Sequence, residues 1–232
     1  MKVPAWSYSS AKLYETCPKK YEGEKITKEV LFKDTEATIY GKEFHTACEE
    51  YIRDGKPLDP RFKWMLANLD SLLRLSGEKF CELKLGVKKE DGRLVACDYY
   101  DRAVWFRGIA DLVILDDSRA YVLDYKTGKS SKYADIRQIA LMSAALFLKY
   151  PKLEKVKGAL AFVKTNVTIR ETYSRENALS IFANYYELLE QRAVSYATNV
   201  WNPKPNGLCR QWCGVKSCPH KDRKSTRLNS SH

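Results

Sequence analysis

The stretch that most constrains this chain is GIADLVILDDSRAYVLDYKTG, Gly108 to Gly128, because it reads as two strands joined by a tight turn, each delivering an aspartate. Val104 to Leu115 and Ala120 to Lys126 are rich in Val, Ile, Leu and aromatics, and Asp116-Asp117-Ser118-Arg119 supplies turn chemistry between them. The spacing predicts an antiparallel hairpin. With Asp117 and Ser118 as the loop, residue 116 pairs with 119 and Asp111 falls opposite Asp124. Alternation along the strand sends Asp124 and Lys126 to one side and leaves the Tyr125 backbone carbonyl close by. Adjacent carboxylates repel and are expensive to bury unpaired, so the arrangement asks for a cation between them. Hard oxygen ligands favour Mg²⁺ or Mn²⁺. Lys126 is then placed to orient a water or to offset charge developing on a phosphate. A hairpin with charges on its solvent face is the plain alternative.

Further segments extend the pattern: Gly41-Lys42-Glu43-Phe44-His45 upstream, Gly108 to Asp111, Asp124-Tyr125-Lys126-Thr127-Gly128, and Gln138 on the next predicted helix. Together they resemble the PD-(D/E)XK nuclease superfamily in its RecB-like branch, over nearly the whole chain. The resemblance implies an α/β fold with an αβββαβ core, a mixed sheet flanked by helices, and a metal-dependent DNA nuclease. An exonuclease acting on DNA ends or single strands is expected, in recombination, repair, phage DNA processing or CRISPR adaptation. It implies His45, Asp111 and Asp124 as metal ligands with the Tyr125 carbonyl beside them, Lys126 as the assistant in hydrolysis, and Gln138 as the residue that fixes the site against DNA. The tyrosine usual four residues after the glutamine is Met142 here, so the DNA contact it would make is not expected. No Walker-type loop is present, so a helicase, recombinase or CRISPR integrase partner would be a separate chain. A non-catalytic DNA-binding module with the same fold is the competing reading.

A lone histidine in a helix is more often packed than ligating. Here Ile39, Phe44, Ala47 and Tyr51 mark a helix over 35–53 with His45 and Glu49 one turn apart, and imidazole is an acceptable ligand beside carboxylates. Glu49 reads as structural. Glu82, in the alternating run Phe80 to Leu85, reads either as an additional metal ligand or as an exposed strand carboxylate.

Of seven cysteines, Cys209, Cys213 and Cys218 cluster near the end and Cys17 stands near the start. Cys17 would complete four thiolates around a [4Fe-4S] cluster or a zinc ion. The layout is similar to the iron-sulfur clasp of RecB-type and CRISPR-associated exonucleases, although the spacing C-x3-C-x4-C departs from their usual C-x2-C. Zinc on Cys209, Cys213, Cys218 and His220 is the alternative. Cys48, Cys81 and Cys97 read as core thiols. With no leader before the fold and an odd cysteine count, a reducing cytoplasm is expected, the host's if the chain is viral.

One domain over 1–221 is expected from the length. Residues 222–232, DRKSTRLNSSH, match the translation of a sequencing-library adapter and are expected to be disordered and uninformative. Leaving them out lowers the net charge only from +11 to +9, still suited to a polyanionic partner. Lys19, Lys20, Lys129 and Lys132 are candidate phosphate contacts. Pattern and breakers predict helices over 7–20, 35–54, 60–76, 131–149 and 175–198. Strands are predicted over 79–88, 104–115, 120–126, 156–164 and 167–173, with a short return strand after Asp91-Gly92. No apolar run is long enough to span a bilayer, so no membrane partner is expected.

Overall fold

A computed structural model describes residues 2–31, 33–128, 130–132, 134–210 and 212–221. The chain enters through α1 (Tyr8–Thr16), α2 (Pro18–Tyr21) and a π-helical turn (Glu22–Ile26). Then follow α3 (Glu36–Asp54), a 3-10 turn (Pro60–Met65) and α4 (Leu66–Leu73). Strands β1 (Glu78–Glu90), β2 (Arg93–Cys97), β3 (Val104–Asp116) and β4 (Arg119–Lys126) precede α5 (Arg137–Lys149). β5 (Lys155–Phe162), β6 (Val167–Ser174), α6 (Ala178–Ala183) and α7 (Tyr186–Thr198) complete the order. Contacts gather the chain into two compact units, one of Asp34–Asn184 and one of Met1–Lys33 with Tyr185–His232. Among the described residues no helix is long and apolar enough to cross a membrane.

The larger unit holds a six-stranded mixed sheet in the order β2-β1-β3-β4-β5-β6. Among the described residues only β4 and β5 pair in parallel, and α5 is the crossover between them. The hairpin closes as the sequence predicts, with Asp116 opposite Arg119 and Asp117 at φ 44° in the turn. Asp91 and Gly92 both take positive φ, 48° and 75°, the requirement of a tight primed turn between β1 and β2. Helix α5 lies against the sheet with Ile139, Leu141, Met142 and Ala145 buried. Two glycines admit it. A methyl group at Gly158 would stand 2.1 Å from Ile139 Cγ2, and one at Gly108 would stand 2.5 Å from Met142 Sδ. A second core joins α3 and α4 to Tyr125 through Phe44, Cys48, Phe62, Met65 and Leu69.

In the smaller unit Tyr14, Tyr21, Tyr196 and Trp201 form an aromatic core. Arg192, only 2% exposed, is buried in it. Its Nε donates to Tyr21 Oη at 3.1 Å and its Nη2 to the Pro4 carbonyl at 3.0 Å, so the buried charge is met by hydrogen bonds and ring faces.

Four predicted helices form differently: 60–76 divides into the 3-10 turn and α4, and the other three depart for local reasons. The 7–20 helix stops at Cys17, which is extended (φ −169°, ψ 113°) because the ring of Pro18 disfavours the helical region for the residue before it. The 175–198 helix divides around Asn184 and Tyr185, where Phe182 is buried against Phe106 in one unit and Tyr185 lies on Trp6 in the other. Helix α5 begins at Arg137, not near Ser131. The Ser130 hydroxyl and Asp135 carboxylate accept from the amides of Lys132 and Arg137, holding the segment in turns. Lys129 and the 222–232 tail lie outside the described residues.

Candidate active site

Strand β4 ends in the sequence Asp124-Tyr125-Lys126, and Asp124 is 4% exposed. Its Oδ1 accepts from Gln138 Nε2 at 2.7 Å, and its Oδ2 stands 2.6 Å from Lys126 Nζ. That last contact is close but badly directed, so Oδ2 remains buried without a proper hydrogen bond. Gln138 closes the triangle by accepting from Lys126 Nζ at 3.1 Å. It arrives there because α5 crosses from the end of β4 back to β5.

Asp111 lies beside this group. Its Oδ2 accepts from the Tyr125 amide at 2.7 Å and stands 3.3 Å from His45 Nδ1, which α3 supplies. Gly41, one turn before His45, lets α3 approach, since a Cβ there would stand 3.1 Å from Thr127 Oγ1. The β3–β4 ladder continues in the predicted register as far as Leu112 opposite Leu123 and ends there, one step short of Asp111 and Asp124. The ladder between β1 and β3 is interrupted at the same level. Cys81 pairs with Leu112 and Leu83 with Ala110, and between those pairs stand Glu82 and Asp111. Glu82 sits at φ 49°, a strained backbone for a residue with a Cβ, of the kind that clusters at functional sites. Donor atoms of His45, Glu82 and Asp111 all lie within 4.8 Å of one another.

Electrostatics agree with the crowding. Burial, then the Asp111 charge, push the Asp124 carboxyl up to about 6 despite Lys126. Burial, then Asp111 and Glu49, raise Glu82. Burial lowers His45, but hydrogen bonding to Asp111 and the charges of Asp111, Asp124 and Glu82 outweigh it and raise it overall. An aspartate titrating above its unfolded value contributes stability that is present below about pH 4 and lost as the pH rises through about 6. At neutral pH the Asp124 carboxylate therefore opposes folding unless added positive charge offsets it. The donor set of His45, Glu82 and Asp111 and the strained Glu82 fit a divalent ion.

The structure thus brings His45, Glu82, Asp111, Asp124, Lys126 and Gln138 into one place within the larger unit. Glu49 pairs with Arg53 on its own helix. Burial lifts the Cys48 and Cys81 thiols to about 12 and about 11, leaving them protonated. Met142 is buried beneath Gly108 and has no access to a substrate. Lys19 and Lys20 are paired with Glu22 and Glu24, at 2.5 and 3.7 Å, which weakens their reading as free phosphate contacts. Lys132 is exposed. In the smaller unit Cys17, Cys209, Cys213, Cys218 and His220 line one recess. The strain at Glu82 has no signature in sequence, but counting β1 against β3 from the Gly108–Leu85 pair would have set Glu82 beside Asp111.

A mixed sheet whose adjoining central strands present carboxylates beside a lysine, with a histidine from a preceding helix, is the arrangement of a nuclease that works with a divalent metal. The PD-(D/E)XK nuclease superfamily pattern matches residues 5–221, and the chain belongs to that superfamily. No curated protein is matched. Among solved structures, the chain is 15% identical to the protein in "Crystal structure of SSO0001", with 95% of this chain and 89% of that one covered at a TM-score of 0.41. It is 14% identical to a "Putative exonuclease" from Eubacterium rectale, with 88% and 85% covered at a TM-score of 0.49.

Proposed function

We propose that this protein is an exonuclease that hydrolyses DNA ends or single strands with Mg²⁺ or Mn²⁺. The observation that carries the reading is the convergence of His45, Glu82, Asp111 and Asp124 with Lys126 and Gln138, within a chain of the PD-(D/E)XK superfamily. His45, Asp111, Asp124, Glu82 and the Tyr125 carbonyl are the ligands of the proposal. When bound, a divalent cation would supply polarisation of the phosphate and a lowered water pKa. Lys126 holds the attacking water or offsets charge on the phosphate oxygens, and Gln138 fixes the aim of both Lys126 and Asp124. His45 and Lys126 are partly open, with side chains 30% and 35% exposed, so a phosphodiester can reach them. Lys132 and Lys129 are candidate phosphate contacts beyond β4. The setting we infer is cytoplasmic, the host's if viral, in recombination, repair, phage DNA processing or CRISPR adaptation, with any helicase, recombinase or integrase a separate chain. End specificity is tested with Mn²⁺ on the same single strand in linear and covalently closed form. The linear form should be shortened from an end and the circle should survive, whereas nicking of the circle would reassign the enzyme as an endonuclease.

For the smaller unit we propose a [4Fe-4S] cluster held by Cys17, Cys209, Cys213 and Cys218. Supporting it, the four line one recess, and backbone amides donate to sulfur, Lys204 N to Cys17 Sγ at 3.3 Å and Asn206 N to Cys209 Sγ at 3.4 Å. Such bonds favour thiolate over thiol and tune a cluster's potential. Anaerobically purified protein should contain about four iron and four sulfide per chain and absorb near 400 nm, roughly where thiolate-to-iron transitions fall. One zinc per chain without iron would replace the cluster by the Cys209, Cys213, Cys218 and His220 site.

A further inference from the structure

Strands β1 and β3 carry a second chemical feature a short way from the carboxylates. Lys84 pairs with Ile109 and Gly86 with Arg107, so Lys84 and Ile109 lie two residues from Glu82 and Asp111 on the same strands, about 7 Å along at the usual strand rise. The loop after β2 lays two tyrosines beside these side chains. Lys84 Nζ donates to Tyr100 Oη at 2.7 Å and stands 5.0 Å from the Tyr100 ring centroid. The Arg107 guanidinium is 5.3 Å from the Tyr99 centroid, and the two tyrosine rings meet edge to face at 5.1 Å. Tyr100 is 66% exposed, and Ile109 is also open to solvent.

Arg107 is the telling member. It is half-buried, its Nε is fully buried and unsatisfied, and among the described residues its guanidinium has no hydrogen bond or ion pair. A guanidinium has five donors in a planar fork; here Nε is buried without a partner while the outer nitrogens reach solvent, where an anion can meet them. The nearby acids are already used. Asp98 and Asp101 accept from the loop's own amides of Tyr100 and Ala103, both at 2.7 Å. What this face offers is therefore an unmatched cationic fork, a second cation, an exposed aromatic ring and a small apolar step.

We propose that this face binds a single DNA strand on its way to or from the carboxylates, with Arg107 on a phosphate and a base lying on Tyr100. The inference rests on the nuclease reading and adds to it the residues that hold the substrate. Alternating phosphates and bases match alternating cations and rings, and stacking on an exposed ring requires an unpaired base. A duplex keeps its bases stacked inside and has no use for Tyr100. Lys84 is held against Tyr100 and stiffens the ring that receives the base.

The test measures binding of a fluorescein-labelled oligothymidine by anisotropy, in EDTA and with the full chain, so that cleavage plays no part. Tyr100→Ala should weaken binding about fivefold or more, within the range for loss of one stacked base. Arg107→Ala should weaken it similarly and flatten the salt dependence by about one phosphate contact. Tyr100→Phe, which keeps the ring and loses the bond to Lys84, should bind within about twofold of wild type, separating stacking from a folding defect. Binding by Tyr100→Ala and Arg107→Ala that equals wild type overturns the inference. Because the readout needs no hydrolysis, a protein that fails to cleave DNA yet shows these losses removes the nuclease reading and leaves the binding face standing. A protein that cleaves DNA and shows no losses does the reverse.

Discussion

Asp124→Ala and Lys126→Ala should each lower Mn²⁺-dependent DNA cleavage by about a thousandfold, in line with losing a charged group that acts on the reacting phosphate or water. The measurement is single-turnover cleavage of an end-labelled strand, with binding followed separately in EDTA. The two losses have different origins. Asp124 is almost wholly buried and tied to both Lys126 and Gln138, so its removal releases the lysine and takes away a candidate metal ligand together. Lys126→Ala leaves every carboxylate in place and should keep Mn²⁺ binding while losing hydrolysis. It also leaves Asp124 without its cation in a site where burial and Asp111 already resist ionisation. Gln138→Ala should cost less, about tenfold, because the glutamine positions the other two without carrying charge. Binding of DNA should persist in all three. Variants that cleave as fast as the wild type would mean that this cluster is not where hydrolysis occurs, and a wild type without Mn²⁺-dependent activity would return the protein to a binding role.

The second large effect lies in the packing that brings Gln138 to the site. Gly158→Ala should destabilise the larger unit by about 3 kcal/mol, at the upper end for overpacking, and lower Tm by about 6–12 °C for a chain of this size. The new methyl would stand 2.1 Å from Ile139 Cγ2. A β-branched side chain in a helix has essentially one rotamer, so Ile139 has nowhere to turn. Gly108→Ala makes a useful contrast. Its methyl meets the end of Met142 at 2.5 Å, and an unbranched thioether can swing aside, so its loss should be smaller. Combining Gly158→Ala with Ile139→Ala should be less damaging than the two separate losses added together, a coupling that thermal melts of the four proteins would measure. A Gly158→Ala protein that melts with the wild type would show that the helix can lift off the sheet at little cost, and that Gln138 is held by something else.

Much of the candidate site's geometry was legible because register propagates. Once Asp117-Ser118 is taken as the turn, every later position on β3 and β4 follows by counting, and the pair Asp116–Arg119 through Leu112–Leu123 forms accordingly. The family pattern did the rest for His45 and Gln138, which lie far from the hairpin in sequence and whose approach depends on α3 and α5. What escaped was governed by single side chains competing with periodicity. Cys17 breaks a helix through its neighbour Pro18, and Ser130 and Asp135 hold amides that a longer α5 would have used. Glu82 is the sharpest case: a strand pattern gives no warning that one residue in it will adopt a left-handed backbone. The cation-aromatic face on β1 and β3 was equally hidden, because it needs the pairing of Gly86 with Arg107 and the return of the Tyr99-Tyr100 loop over both.

The crossover between β4 and β5 has a consequence for how such a protein can diversify. Lys126 is anchored in the sheet and Gln138 by a helix seated on Gly158, so the sheet and α5 set their alignment. Lengthening the connecting stretch 127–136 would add only slowly growing chain entropy, roughly 0.6 kcal/mol for each doubling. That makes this segment the natural place for new loops beside the candidate site: under the proposed function, substrate preference could be rewritten there while the carboxylates, Lys126 and Gln138 stay fixed.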